Sequence, residues 1–137
     1  MTETVSARGH ENVRAAHEST LEVTADDWLT PAGDCIVGVT ADRTPADFDR
    51  AFVEACRDPA ATVVATLRAD GREATVTGRG HPDLTFESDR SMVCRTSTFV
   101  DERTVLVDAD RAAADIDRAL VAALADGAAL TCTLRVE

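Results

Sequence analysis

The sequence predicts an α+β fold, a β-rich single domain of two tandem, pseudo-symmetric halves, each with one amphipathic helix packed on a sheet. Three observations carry that expectation. The segment Asp42–Ala55 returns 68 positions later as Asp110–Ala123, with nine of fourteen pairs identical. Its apolar pairs Phe48/Ile116 and Phe52/Leu120 also keep their places. Upstream, Arg8-Gly9-His10 recurs as Arg79-Gly80-His81 at an offset of 71. Finally, each copy sets a helical pattern among short alternating runs, which is the signature of mixed α+β architecture. The repeat halves run approximately over 8–71 and 79–137, with neither a linker nor a low-complexity segment between them. At 137 residues and 45% apolar content, the chain can bury a common core for both.

In chain order, Thr4–Arg8 alternates weakly as a short strand. Ser19–Thr24 alternates cleanly, with Leu21 and Val23 on one face. Thr30-Pro31-Ala32-Gly33-Asp34 is a turn by its proline and glycine, and Cys35–Val39 reads as a buried strand. Thr44 can cap the first helix, Pro45 suits its first position and Asp47 its positive end. Phe48, Ala51, Phe52 and Ala55 then form an apolar stripe, and Asp58-Pro59 stops the helix. Thr62–Leu67 and Glu73–Thr77 follow as strands joined by a hairpin, since Asp70-Gly71 tolerates the positive φ of a tight turn. The second half reads as strands over Leu84–Glu87, Met92–Ser97 and Thr104–Val107. A helix follows over about Ala112–Ala125, capped by Gly127, and then a last strand over Leu130–Val136.

Composition narrows the function. The 14 basic residues are all arginine, against 25 acids, for a net charge of −11. Excess carboxylate without lysine resembles the proteins of organisms that keep molar salt inside their cells. There the Debye length shrinks to about 3 Å and self-repulsion is screened. No basic run offers a phosphate-binding surface, which argues against nucleic acid as a partner. No apolar stretch reaches the roughly 18–20 residues of a membrane helix, and the acidic start Met1-Thr2-Glu3-Thr4 lacks a secretory signature. The expectation is a cytoplasmic protein with no membrane partner. Cys35, Cys56, Cys94 and Cys132 are too scattered for a zinc knuckle. Cys56 and Cys132 fall in predicted elements, where a thiol packs as a small hydrophobe.

Four segments carry polar chemistry. Gly9–His17 places His10, Asn12 and His17 ahead of a strand, and an imidazole can bind a metal or move a proton near neutral pH. The same residues can simply hold turns. Gly33-Asp34-Cys35 puts a carboxylate beside a thiol at a strand entrance, although an active thiol needs a cationic neighbour or helix N-terminus to lower its pKa. Gly78–Asp83, with His81, could leave N–H groups open to an anion, but it matches no phosphate-loop pattern. Arg95 and Arg103 lie in β segments rich in hydroxyls, where a guanidinium can fork onto an anion or pair with an acid of this chain.

The run Gly9-His10-Glu11-Asn12, His17, Thr20–Thr24 and Leu29-Thr30-Pro31-Ala32-Gly33-Asp34-Cys35-Ile36-Val37-Gly38-Val39 resembles an archaeal family described as domain of unknown function 371. Arg95-Thr96-Ser97, Arg103-Thr104 and Asp108-Ala109-Asp110 extend the resemblance over nearly the whole chain. It implies a β-rich archaeal protein of sandwich or jelly-roll type, and it transfers no activity.

The leading expectation is a small-molecule or metal-binding site, catalytic if His10, His17, Asp34 and Cys35 act together. Asn12, His81, Arg95 and Arg103 would hold the ligand. The rival expectation is a non-catalytic interaction or assembly module in which these residues are structural. The sequence names no cofactor, metal or oligomeric state.

Overall fold

The order strand, strand, strand, helix, strand runs through twice in the computed structural model, which describes residues 1–137. The first pass is β1 (Thr2–Arg8), β2 (Thr20–Thr24), β3 (Ile36–Gly38), α1 (Arg50–Cys56) and β4 (Thr62–Ala69). The second is β5 (Arg72–Arg79), β6 (Ser91–Arg95), β7 (Thr104–Leu106), α2 (Arg118–Ala125) and β8 (Ala129–Val136). The strands form two four-stranded sheets, ordered β1-β8-β4-β5 and β3-β2-β6-β7. Each order reads the same from either end when the halves are exchanged. The pseudo-two-fold centre lies at Thr66↔Thr133 in the first sheet and at Glu22↔Val93 in the second.

Because β8 sits between β1 and β4, neither half makes a sheet by itself. Alternation places Val63, Ala65, Leu67, Leu130, Cys132 and Leu134 inward from one sheet, and Leu21, Val23, Met92 and Cys94 inward from the other, in one buried cluster. The outer face of the first sheet carries threonine, serine and arginine, which suits a solvated pleated surface. Main-chain bridges Arg8↔Val39 and Arg79↔Val107 tie the sheets together at both edges. Asp70 and Gly71, at φ 51° and 71°, make the two-residue β4–β5 hairpin that the Asp-Gly pair demands.

The helices are shorter than the sequence pattern predicts. In place of one helix from Pro45, a 3-10 turn over Pro45–Asp47 ends at Phe48, whose extended backbone separates it from α1. The cause is two acids competing for two starts. Asp47 Oδ2 accepts the Thr44 N–H at 2.9 Å, while Asp49 Oδ1 accepts the Ala51 N–H at 3.1 Å and caps α1. The expected helix over Ala112–Ala125 breaks in the same way. Ala113–Asp115 is a 3-10 turn, Ile116 is extended, and Asp117 caps α2. At its end, Gly127 adopts φ 86°, and N–H groups of Gly127 and Ala128 return to Leu124 and Ala123, a Schellman closure. The expected strand Leu84–Glu87 is a loop instead, because Phe86 takes φ 53° and turns the chain out of extension.

Each helix packs against the other half. A Cβ on Gly9 would lie 1.9 Å from the Leu124 carbonyl oxygen at the end of α2, and one on Gly80 would lie 2.3 Å from that of Cys56 at the end of α1. Those approaches require glycine. Under α1, the rings of Phe48, Phe52 and Phe86 meet edge-on or tilted at 5.9–6.1 Å between centroids, a favourable aromatic geometry. No helix is long and apolar enough to cross a membrane.

Candidate functional site

His10 and His81 occupy equivalent turns and do the same thing there. Nδ1 of His10 accepts the Asn12 N–H, and Nδ1 of His81 accepts the Asp83 N–H, each at 3.0 Å. The His10 and His81 carbonyls then accept from Val13 and Leu84. An imidazole that holds its own turn in both halves is explained by local folding. Asn12 closes the first-half turn by donating to the Leu29 carbonyl at 2.8 Å. In the second half His81 borders an open, acidic groove with Asp83, Glu87, Asp101 and Glu102.

His17 has a serine for its counterpart. Its Nδ1 accepts N–H groups from Ser19 and Thr20 at 3.2 and 3.1 Å, where Ser88 Oγ accepts those of Arg90 and Ser91 at 3.1 and 3.2 Å. Asp34 meets this turn through its backbone, its carbonyl taking the N–H groups of Ala16 and His17. No hydrogen bond joins His10 to His17, Asp34 or Cys35, and no group of three His, Cys, Asp or Glu residues is arranged to hold a metal ion.

Cys35 does enter a polar cluster, but with different partners. Its Sγ lies 3.5 Å from Glu22 Oε1, and burial, followed by the Glu22 charge, pushes the thiol up to about 11. Burial and the neighbouring carboxylate thus disfavour the thiolate that a nucleophile needs. Cys56 and Cys132 are buried and pushed up to about 12 by desolvation, and Cys94 is raised by the same cause. These three pack in the core.

The cluster lies on the outer face of the β3-β2-β6-β7 sheet. Period-two alternation turns Thr20, Glu22 and Thr24 away from the core while Leu21 and Val23 face it. Opposite Glu22 lies Val93, which is buried but outside the main core cluster. Cys35 and Arg103 are equivalent residues at the entrances of β3 and β7, so they flank Glu22 from opposite sides. Arg103 Nη1 stands 3.8 Å from Glu22 and its Nη2 3.2 Å from Asp101 Oδ2.

Asp101 organises the β7 side. Its Oδ2 takes Arg95 Nη2 at 3.1 Å, and its Oδ1 takes the Arg103 N–H at 2.9 Å. Arg95 Nε also donates to Thr104 Oγ1 at 2.9 Å, and its guanidinium lies 4.8 Å from the centre of the Phe99 ring. Burial alone would raise the Asp101 pKa. The Arg103 N–H, the Thr104 hydroxyl and the charges of Arg95 and Arg103 outweigh it and hold Asp101 below the ordinary carboxylate value. Arg95, at 9% exposure, is spent inside this network. Arg103 keeps 39% of its side chain in solvent, so its free edge can meet a ligand.

Next to Arg103 opens a cleft of about 180 Å³, lined by Glu22, Asp26, Trp28, Ile36, Arg90, Ser91 and Arg103. Arg90 meets Asp26 at 3.0 Å. Two guanidinium groups, two carboxylates and an indole thus surround one small space.

Of the residues predicted for a site, Arg103 lines this cleft, Cys35 and Arg95 connect to it through Glu22 and Asp101, and His17 and Asp34 meet through their backbones. His10, Asn12 and His81 lie in the turns. Glu22, Asp26, Trp28, Arg90 and Asp101 were not foreseen. A charged residue in the Leu21-Glu22-Val23 alternation was the available sign for Glu22.

The chain is similar to an uncharacterized protein of the archaeon Methanocaldococcus jannaschii, with 39% identity over 123 residues that cover 90% of both chains. The model of the family described as domain of unknown function (DUF371) matches residues 5–137. With the match spanning both sheets, both helices and the cleft at their pseudo-symmetry centre, the chain belongs to the DUF371 family.

Proposed function

We propose that the cleft over β2 and β6 binds a small polar molecule bearing an acidic group, without covalent chemistry. One observation carries the reading: a set of charged residues by which the halves differ gathers around Glu22, beside the symmetry centre. Glu22 stands opposite Val93, Arg103 answers Cys35, Arg95 answers Thr24, Asp26 answers Ser97 and Arg90 answers Ser19. Where the fold alone sets the requirement, as at Gly9/Gly80 or Asp49/Asp117, the halves agree. Glu22 and Asp26 come from the first half and Arg90, Arg95 and Arg103 from the second, so no turn or cap repeated in both halves accounts for the cluster.

Arg90 and Arg103 would hold the acidic group, since a guanidinium presents paired donors to a carboxylate or phosphate. The long Arg103–Glu22 contact is the one an incoming acid would replace. Glu22 and Asp26 would accept a donor of the same molecule, and Trp28 would cover a flat or apolar part. At about 180 Å³ the cleft is below the roughly 300–1,000 Å³ of pockets for drug-sized ligands, which favours a metabolite of few atoms. Cys35, outside the cleft lining, would act only through its contact with Glu22. The acidic, lysine-free surface supports a cytoplasm of high salt as the setting for such binding.

The test is a thermal-shift screen of small carboxylates, amino acids and phosphates in molar salt. At least one should raise the midpoint of wild type and leave Arg103→Ala and Glu22→Gln unmoved. Equal shifts in wild type and both variants would count against the cleft. A non-catalytic assembly role draws support from Trp28 and Phe99, exposed at 56% and 58% on the two loops beside this face. Concentration-dependent sedimentation abolished by Trp28→Ser would favour it.

A further inference from the structure

The two halves also differ in how they treat one set of main-chain carbonyls. In the second half, Arg118 folds back over the chain before α2. Its Nη1 donates to Arg14 and Ala15 carbonyls at 3.4 and 3.1 Å. Its Nη2 reaches those of Ala113, Ala114 and Ile116 at 3.0, 3.3 and 2.8 Å, and its Nε meets Ile116 again at 3.0 Å. This guanidinium is held by carbonyl oxygens alone, with no carboxylate.

The equivalent carbonyls of the first half belong to Thr85, Phe86, Pro45, Ala46 and Phe48. Only that of Pro45 accepts a hydrogen bond, from the Phe48 N–H. The other four accept none from the protein. Arg50, the counterpart of Arg118, makes no hydrogen bond and is exposed. A cavity of about 250 Å³ opens at these carbonyls, lined by Pro45, Ala46, Phe48, Arg50, Val53 and Phe86 with Thr85 at its edge.

We infer that this cavity is a binding site for a guanidino acid. Carbonyls only accept, so the occupant must present several donors in a fixed fan. A guanidinium does so with five N–H groups and no acceptor, and Arg118 displays the fit in the same backbone frame. Phe48, Val53 and Phe86 give an apolar wall for a methylene stem. Arg50 at the rim repels a bare cation and pairs with a carboxylate at the ligand's other end. The site is separate from the cleft over β2 and β6, and its test does not depend on that reading.

The experiment is a two-dimensional amide NMR titration of the full chain in molar salt with L-arginine, and with L-citrulline as the uncharged analogue. L-arginine should move the amides of residues 46–49 and 85–87 saturably, and leave those of 14–16 and 114–117 in place. Citrulline should move neither set, and Arg50→Ala should weaken arginine by roughly threefold, the worth of one exposed ion pair. Thermal melts supply the second arm: Arg118→Ala should lower the midpoint while Arg50→Ala leaves it unchanged. The inference is overturned by any of three results. One is arginine shifts that do not saturate or that appear equally at both sets of carbonyls. Another is citrulline matching arginine. The third is Arg50→Ala melting as early as Arg118→Ala, which would show that Arg50 fills the cavity itself.

Discussion

The turn at Gly9-His10 and the turn at Gly80-His81 use the same residues, the same Nδ1 contact at 3.0 Å and the same closure against a helix end. A few residues on, β2 and β6 share a backbone path but little side-chain chemistry on their outer face. Glu22 faces Val93, and Cys35 is answered by Arg103. The first comparison shows what the frame needs: glycine where a helix end passes within atomic contact, and an acceptor two residues before an orphan N–H. The second shows what the frame leaves free. A pseudo-symmetric chain thus carries its own control. Where both residue and contact agree between the halves the duty is structural, and charged disagreements that cluster, as around Glu22, point to a further role.

The most severe way to test the agreement is to put a methyl group where both halves have none. Gly80→Ala drives a Cβ to within 2.3 Å of the Cys56 carbonyl oxygen, and Gly9→Ala makes the same clash with Leu124. Each should cost about 3 kcal/mol, at the upper end of overpacking, as read by denaturant unfolding in molar salt. Similar losses would support equivalent duties, and a silent substitution in one half would break the comparison.

Next in size is Asp101→Asn, which disrupts a network found only on the β7 side. The loss should be about 1–2 kcal/mol at neutral pH, as expected for charge-assisted hydrogen bonds. Because the folded Asp101 pKa lies below 3.8, the carboxylate stabilises the fold fully above that ordinary value. That stabilisation disappears as pH falls through the lowered folded value. Wild type should therefore lose part of its stability on acidification below about 3.8 that the variant never had. Parallel stability–pH curves would contradict the assignment.

Smaller effects sharpen the comparison. His17→Ser installs the residue that Ser88 already is, and it should change stability by less than about 0.5 kcal/mol, whereas His17→Ala removes the acceptor and should cost about 1 kcal/mol. At Cys35, Glu22→Gln removes a charge that raises the thiol pKa. Alkylation at pH 8 should quicken a few-fold, read by peptide mass spectrometry, while Cys56, Cys94 and Cys132 stay unlabelled in folded protein. An unchanged rate would mean that burial alone sets the thiol.

The repeat was legible because identical local tasks select identical residues, as at Asp42/Asp110, Asp49/Asp117 and the two glycine turns. Gly127 and Asp70-Gly71 were legible because a positive φ leaves few other choices. The broken helices were not, since the stripe from Phe48 to Ala55 reads as continuous whether Asp47 or Asp49 provides the cap. Interleaving of the halves was also hidden, because nothing in the β8 pattern says that it separates β1 from β4. For the site, Cys35 and Arg103 were visible as unusual residues beside strands. Their meeting at Glu22 depends on β2–β6 pairing across 71 positions, and spacing along the chain does not encode that register.

The most direct test of the cleft follows the arginine Nε–H signals of Arg90, Arg95 and Arg103 by NMR while small carboxylates and phosphates are added in molar salt. Arg90 and Arg103 should move saturably, with Arg95 held still by Thr104 and Asp101. Movement of exposed arginines elsewhere, such as Arg68 and Arg135, to the same extent as Arg90 and Arg103 would contradict binding in the cleft.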